Sequence, residues 1–107
     1  MKAALDAGHT VVLESTASIA DGLLPVKAGE LTFRHLRKLA DGVVTVDDDA
    51  IREATRFLLH RHHLVVEFSG AATTAALRSR KVEVEGRKVA VVISGGNLDP
   101  SFLPELA

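Results

Sequence analysis

The chain contains no cysteine, tryptophan or tyrosine. The missing cysteines exclude a disulfide framework, thiol nucleophiles and thiolate metal sites. Aromatic residues make up only 4% of the 107 residues, so the core must be built from Ala, Val, Leu and Ile. Charge of one sign is also absent. Thirteen Lys and Arg face fourteen Asp and Glu, which leaves a net charge of −1 and no electrostatic footprint for nucleic acid. No apolar run approaches the roughly 20 residues that span a membrane. No sustained apolar stretch follows Lys2, so the first residues do not read as a signal peptide. These absences predict a soluble, cytoplasmic protein of one small domain.

The most informative stretch that is present is Val89-Ala90-Val91-Val92-Ile93-Ser94-Gly95-Gly96-Asn97. Five apolar residues, four of them β-branched, run into a hydroxyl, two glycines and an amide. A continuous apolar run bounded by a turn reads as a strand buried on both faces, inside a parallel sheet. Ligands of such sheets bind beyond the carboxyl ends of the strands. Ser94 to Asn97 would lie there, with Ser94 as donor and acceptor and Gly95 letting the backbone approach a ligand. The same tetrapeptide also reads as an ordinary tight turn.

In chain order, Met1 to Ala7 reads as the last turns of a helix stopped by Gly8. Thr10 to Leu13 is β-rich, and Ser15 to Leu24 is irregular. Leu31 to Ala40 is a helix with Phe33, Leu36 and Ala40 on one face. Val43 to Val46 is a short strand. Asp47-Asp48-Asp49 opens a helix running to about His62, since aspartate caps free amides and complements the dipole. Leu64 to Glu67 leads into Ser69, which would cap a helix from Gly70 to about Arg80. Asp99 caps a short final helix begun by Pro100. The alternation predicts an α/β fold with parallel pairing.

Several clusters admit two readings. The acidic triplet suits a divalent cation or, far better, a helix start. His60, His62 and His63 suit a metal or, more simply, cations at a helix C-terminus. Glu67 is either a solvated acid or a carboxylate at the sheet edge near Ser94. Asp21-Gly22 reads as a plain turn, yet the segment Ser18 to Gly22 is unusual for a structureless loop in having no charge before Asp21. No glycine-rich nucleotide fingerprint occurs.

Five pieces of the sequence, in order, resemble the pyridoxal-phosphate-dependent threonine and serine dehydratases, whose relatives include serine racemase. Ser18-Ile19-Ala20-Asp21-Gly22 is similar to their Thr-Ile-Ala-Asp-Gly. Gly29-Glu30-Leu31-Thr32-Phe33 is similar to Pro-Gly-Glu-Leu-Thr-Phe. Val43-Val44-Thr45-Val46-Asp47 is similar to Val-Val-Thr-Val-Ser. Val66-Glu67-Phe68-Ser69-Gly70-Ala71 is similar to Val-Glu-Pro-Ser-Gly-Ala. The fifth is Val92 to Asn97. Ser18 stands for the usual Thr. Phe68 stands for the usual Pro, which removes a rigid kink and adds bulk beside Glu67.

The resemblance implies the tryptophan-synthase-β-like fold, with residues 1–107 as a C-terminal segment of its large domain. That is part of a three-layer αβα architecture with a mostly parallel sheet, incomplete at the N-terminus. It implies the cofactor pyridoxal 5'-phosphate, with Ser94 on the pyridine nitrogen, Gly22 against the ring, Glu67 near both, and Gly95 allowing close approach. Threonine or serine would be the substrate, and a 2-oxo acid and ammonia the products. The complete enzyme would be a homo-oligomer. The family's Schiff-base lysine has a Ser-x-Lys-x-Arg-Gly context that Lys2, Lys27, Lys38, Lys81 and Lys88 all lack. Its glycine-rich phosphate loop is likewise absent. A lysine holds this cofactor and removes the α-proton. The expectation is therefore a fragment without catalytic residues of its own, inactive alone and needing an N-terminal portion or partner chain. Met1 would be an internal methionine of a longer protein. The alternative is a non-catalytic α/β module that binds a partner subunit or a small anion.

Overall fold

The computed structural model describes residues 1–107. Its helices are α1 (Lys2–Ala7), α2 (Glu30–Leu39), α3 (Asp48–His62), α4 (Phe68–Arg78) and α5 (Leu103–Leu106). Short 3-10 turns occupy Asp21–Leu23 and Pro100–Phe102. No helix is long and apolar enough to cross a membrane.

Local chemistry explains where the helices start and stop. Gly8 ends α1 in the left-handed conformation, at φ 76°. Asp47 caps α3, accepting the Ala50 N–H at 2.8 Å, a bond worth about 1 kcal/mol. His63 closes α3 at φ 56°, and the Leu64 N–H reaches back to the Leu58 carbonyl. Asp99 takes the Ser101 N–H at 2.8 Å, and Pro100 supplies the first turn.

The core is the seam between α3 and α4. Ile51, Ala54 and Leu58 form the buried stripe of α3. They meet Ala71 and Ala75 of α4, whose small side chains let the two helices lie close. Ala20, Val66, Phe68 and Leu106 complete the cluster. Ala4 of α1 and Phe33 of α2 are buried outside it.

The expected parallel sheet is not formed. The only β pairing is an antiparallel bridge between Val12 and Lys27. The predicted strand stretches 43–46, 64–67 and 89–93 carry no ladder. The second stretch meets the turn after the third where the Glu67 N–H donates to the Gly95 carbonyl at 3.2 Å. A ladder needs a regular series of bonds between adjacent backbones, and this single bond does not make one. Main-chain hydrogen bonds number 47, short of the roughly 70 expected for a closed domain of this size. The apolar side chains of the stretches are correspondingly bare: Val92 is 70% and Val65 56% exposed, and 14 of 107 residues are buried. The molecule is a slab, 41 × 37 × 19 Å.

A cluster at the beginning of α4

The functional geometry is concentrated in four consecutive residues, Glu67-Phe68-Ser69-Gly70. The helix begins at Phe68, with Glu67 at the N-cap position, two residues before the expected start. The Glu67 side chain makes no capping bond to its own helix. It turns instead to the segment 94–97, where its Oε2 accepts the Asn97 N–H at 3.2 Å. Gly95 has φ 76°, and a Cβ there would collide with the Glu67 carboxylate. Glycine is thus required twice at this position, by conformation and by space.

Ser69 does not cap α4 either. Its hydroxyl accepts the Gly22 N–H at 2.9 Å and donates to Asp21 Oδ1 at 3.3 Å. A Cβ on Gly22 would press on the Ser69 side chain. Gly70 is buried, and the Ser94 carbonyl fills the space of its missing Cβ. One helical turn therefore holds the Ser94–Asn97 turn on one side and the Asp21–Gly22 turn on the other.

The segment before Gly22 is tied to α3. Ser18 donates to Asp48 Oδ1 at 2.5 Å, and the Ile19 N–H to Asp48 Oδ2 at 3.1 Å. The middle residue of the acidic triplet is thus a tertiary anchor. His60 also has a structural partner, since its Nε2 donates to the Leu106 carbonyl at 2.7 Å. Phe68 packs edge-on against Phe102 at 5.1 Å, with the Arg52 guanidinium 5.8 Å from its ring centre.

These contacts enclose a cleft of about 310 Å³ lined by Ser18, Ile19, Asp21, Glu67, Phe68, Asn97, Leu98, Asp99 and Phe102. Three carboxylates face it and no cation does. Asp99 has its pKa lowered, because the Ser101 amide and then the Ser101 hydroxyl bond its ionised form. Of the residues singled out from sequence, Glu67 lines the cleft, Gly22 follows a lining residue, and Gly95 touches Glu67. Ser94 is exposed outside the lining, joined to the rest through Gly70. Two contributors have roles other than those read from the sequence: Asp48, expected at a helix start, and the Ser69 hydroxyl, expected as a cap. Their partners lie 30 and 47 residues away, beyond any local signal.

Comparison with known proteins identifies the family. Residues 1–95 match the family model for pyridoxal-phosphate dependent enzymes. The chain is 39% identical over 106 residues to an L-threonine ammonia-lyase of Thermotoga maritima, covering 99% of this chain and 26% of that one. It is 35% identical to the catabolic L-threonine dehydratase TdcB of Escherichia coli, covering 99% and 33%. Among solved structures, a T.th. threonine deaminase superposes with a TM-score of 0.84 at 38% identity, over 92% of this chain and 35% of that one. Maize serine racemase gives 0.84 at 35% identity, over 97% and 34%. The chain spans a quarter to a third of the length of these relatives.

Proposed function

The chain belongs to the family of pyridoxal-phosphate-dependent enzymes, and from that premise we propose that it forms the pyridine-nitrogen side of the cofactor pocket in a threonine or serine ammonia-lyase. The observation that carries this reading is the first turn of α4, which gathers Ser94–Asn97 and Ser18–Gly22 into one place.

The donor set fits one end of the cofactor. Ser94 is exposed at the end of the apolar run and carries a neutral hydroxyl, which can donate to an aromatic nitrogen without protonating it. The residues do not fit the other end. No cation lines the cleft to meet a phosphate, and none of the five lysines reaches it. Pyridoxal phosphate, when bound, supplies the electron sink for β-elimination of an amino acid to a 2-oxo acid and ammonia. This chain's residues supply position: Ser94 orients the ring, Gly22 leaves room for it, and Gly95 and Glu67 set the turn that presents Ser94. The phosphate site and the proton-moving lysine come from further polypeptide. That polypeptide also completes the parallel sheet over the bare stretches 43–46, 64–66 and 89–93. The assembled enzyme is a homo-oligomer.

Complementation tests this reading. The chain with added pyridoxal phosphate is expected to release no 2-oxo acid from threonine or serine. Mixed with the Thermotoga maritima ammonia-lyase polypeptide lacking its matching segment, it is expected to restore turnover. Ser94→Ala should lower the restored rate. Turnover by the chain alone would overturn the proposed division of labour, and a Ser94→Ala complex as active as wild type would remove Ser94 from the site.

A further inference from the structure

We propose that Glu67 is a positioning residue, whose carboxylate acts on Ser94 through the turn that follows it rather than on the cofactor. The proposal deepens, and rests on, the reading of Ser94 as the pyridine partner.

Four observations converge. Glu67 stands at the N-cap of α4 but gives no side-chain bond to the helix amides. Its Oε2 accepts the Asn97 N–H at 3.2 Å instead. Its own N–H donates to the Gly95 carbonyl at 3.2 Å. Its carboxylate also fills the space beside Gly95 that any other residue's Cβ would take. Glu67 therefore brackets residues 95–97 with one main-chain and one side-chain bond. This matters because Gly95-Gly96 is the most permissive pair of backbone units in the chain. No strand ladder restrains the stretch before it. Together with the Gly70–Ser94 approach and the Thr73 hydroxyl, which donates to the Val92 carbonyl at 2.6 Å, the bracket sets the direction of the chain at Ser94.

A carboxylate is suited to this task. A charged acceptor strengthens the bond to a main-chain N–H. The side chain must also reach forward past its own helix start, which the shorter aspartate would not do. Glutamine keeps both the length and an acceptor oxygen, and alanine keeps neither.

The test uses the full chain, isotopically labelled, with amide exchange read residue by residue. The Gly22 amide, held by Ser69 and Asp21, is the internal reference. Glu67→Ala should speed Asn97 exchange roughly fivefold to tenfold, the loss of about one hydrogen bond, and leave Gly22 unchanged. Glu67→Gln should restore most of the protection. Ring binding is followed in the complex with the Thermotoga maritima ammonia-lyase polypeptide lacking its matching segment, using pyridoxine 5'-phosphate, which has no aldehyde to react with lysines. Glu67→Ala and Ser94→Ala should weaken it alike, and the double variant should be no weaker than either.

Asn97 protection that survives Glu67→Ala, or a Gln variant as loose as the Ala variant, would overturn the positioning role. The exchange arms decide that question by themselves. If they come out as expected while Ser94→Ala leaves probe binding unchanged, the bracket stands and the cofactor reading of Ser94 fails.

Discussion

The carbonyl of Ser94 sits where a Cβ on Gly70 would be. The two residues lie 24 positions apart, and their approach closes the start of α4 onto the end of the long apolar run. Gly70→Ala cannot be absorbed by a rotamer change, because the obstacle is main chain. It should lower the unfolding free energy by about 1–3 kcal/mol, the usual cost of overpacking. Gly42→Ala, with open space around the new methyl and no positive φ, should be near neutral. Urea unfolding of both variants checks the pair.

Asp48 accepts from both Ser18 and Ile19. Asp48→Ala leaves that hydroxyl and amide without their charged acceptor and should cost about 1–3 kcal/mol. The first effect expected is a loosening of the 18–20 segment, visible as faster exchange of the Ile19 amide. Asn at position 48 should retain part of the protection.

Phe68 occupies the first position of α4, where proline's missing N–H is tolerated. Phe68→Pro should therefore leave the helix start in place. It still removes a buried ring that packs against Phe102 and under Arg52, at a cost of about 3 kcal/mol. Circular dichroism should show helix content unchanged below the transition, and a lower thermal midpoint. Loss of helix at low temperature would mean that the ring, and not the backbone, starts α4.

Asp99 should titrate below an ordinary aspartate, because Ser101 bonds its ionised form. The sign follows from linkage. A folded-state pKa below the unfolded one contributes stability that is present above the unfolded value and lost as pH falls through the folded value. Carboxyl carbon shifts recorded through the acid range should place the midpoint of Asp99 below the usual value. Ser101→Pro removes the amide donor as well as the hydroxyl, and should return the midpoint toward normal.

The helices were legible because their signals are local. Gly8, Asp47, His63 and the Asp99-Pro100 pair act within a few residues of the ends they define. The strands were not legible in the same way. The run Val89–Ile93 has the composition of a buried strand, yet a strand exists only when another backbone lies beside it, and composition carries no record of that neighbour. Ser69 shows the same limit on a smaller scale. A local reading assigns its hydroxyl to the helix amides. A glycine 47 residues upstream claims it, and α4 begins one residue before Ser69. A strand-end reading groups Ser94 and Gly95 and admits Glu67 beside them, and resemblance adds Gly22, whereas the contacts around them are visible only in three dimensions.

The acidic triplet has an implication for how substitutions would be tolerated. Asp47 caps α3, Asp48 reaches across to Ser18 and Ile19, and Asp49 remains in solvent. Three identical letters thus carry three unequal constraints. A saturation scan should give a ragged profile here: Ser, Thr or Asn permitted at 47, little beyond a short acceptor at 48, and almost any polar residue at 49. A sequence drifting under selection for the fold would keep the middle aspartate longest.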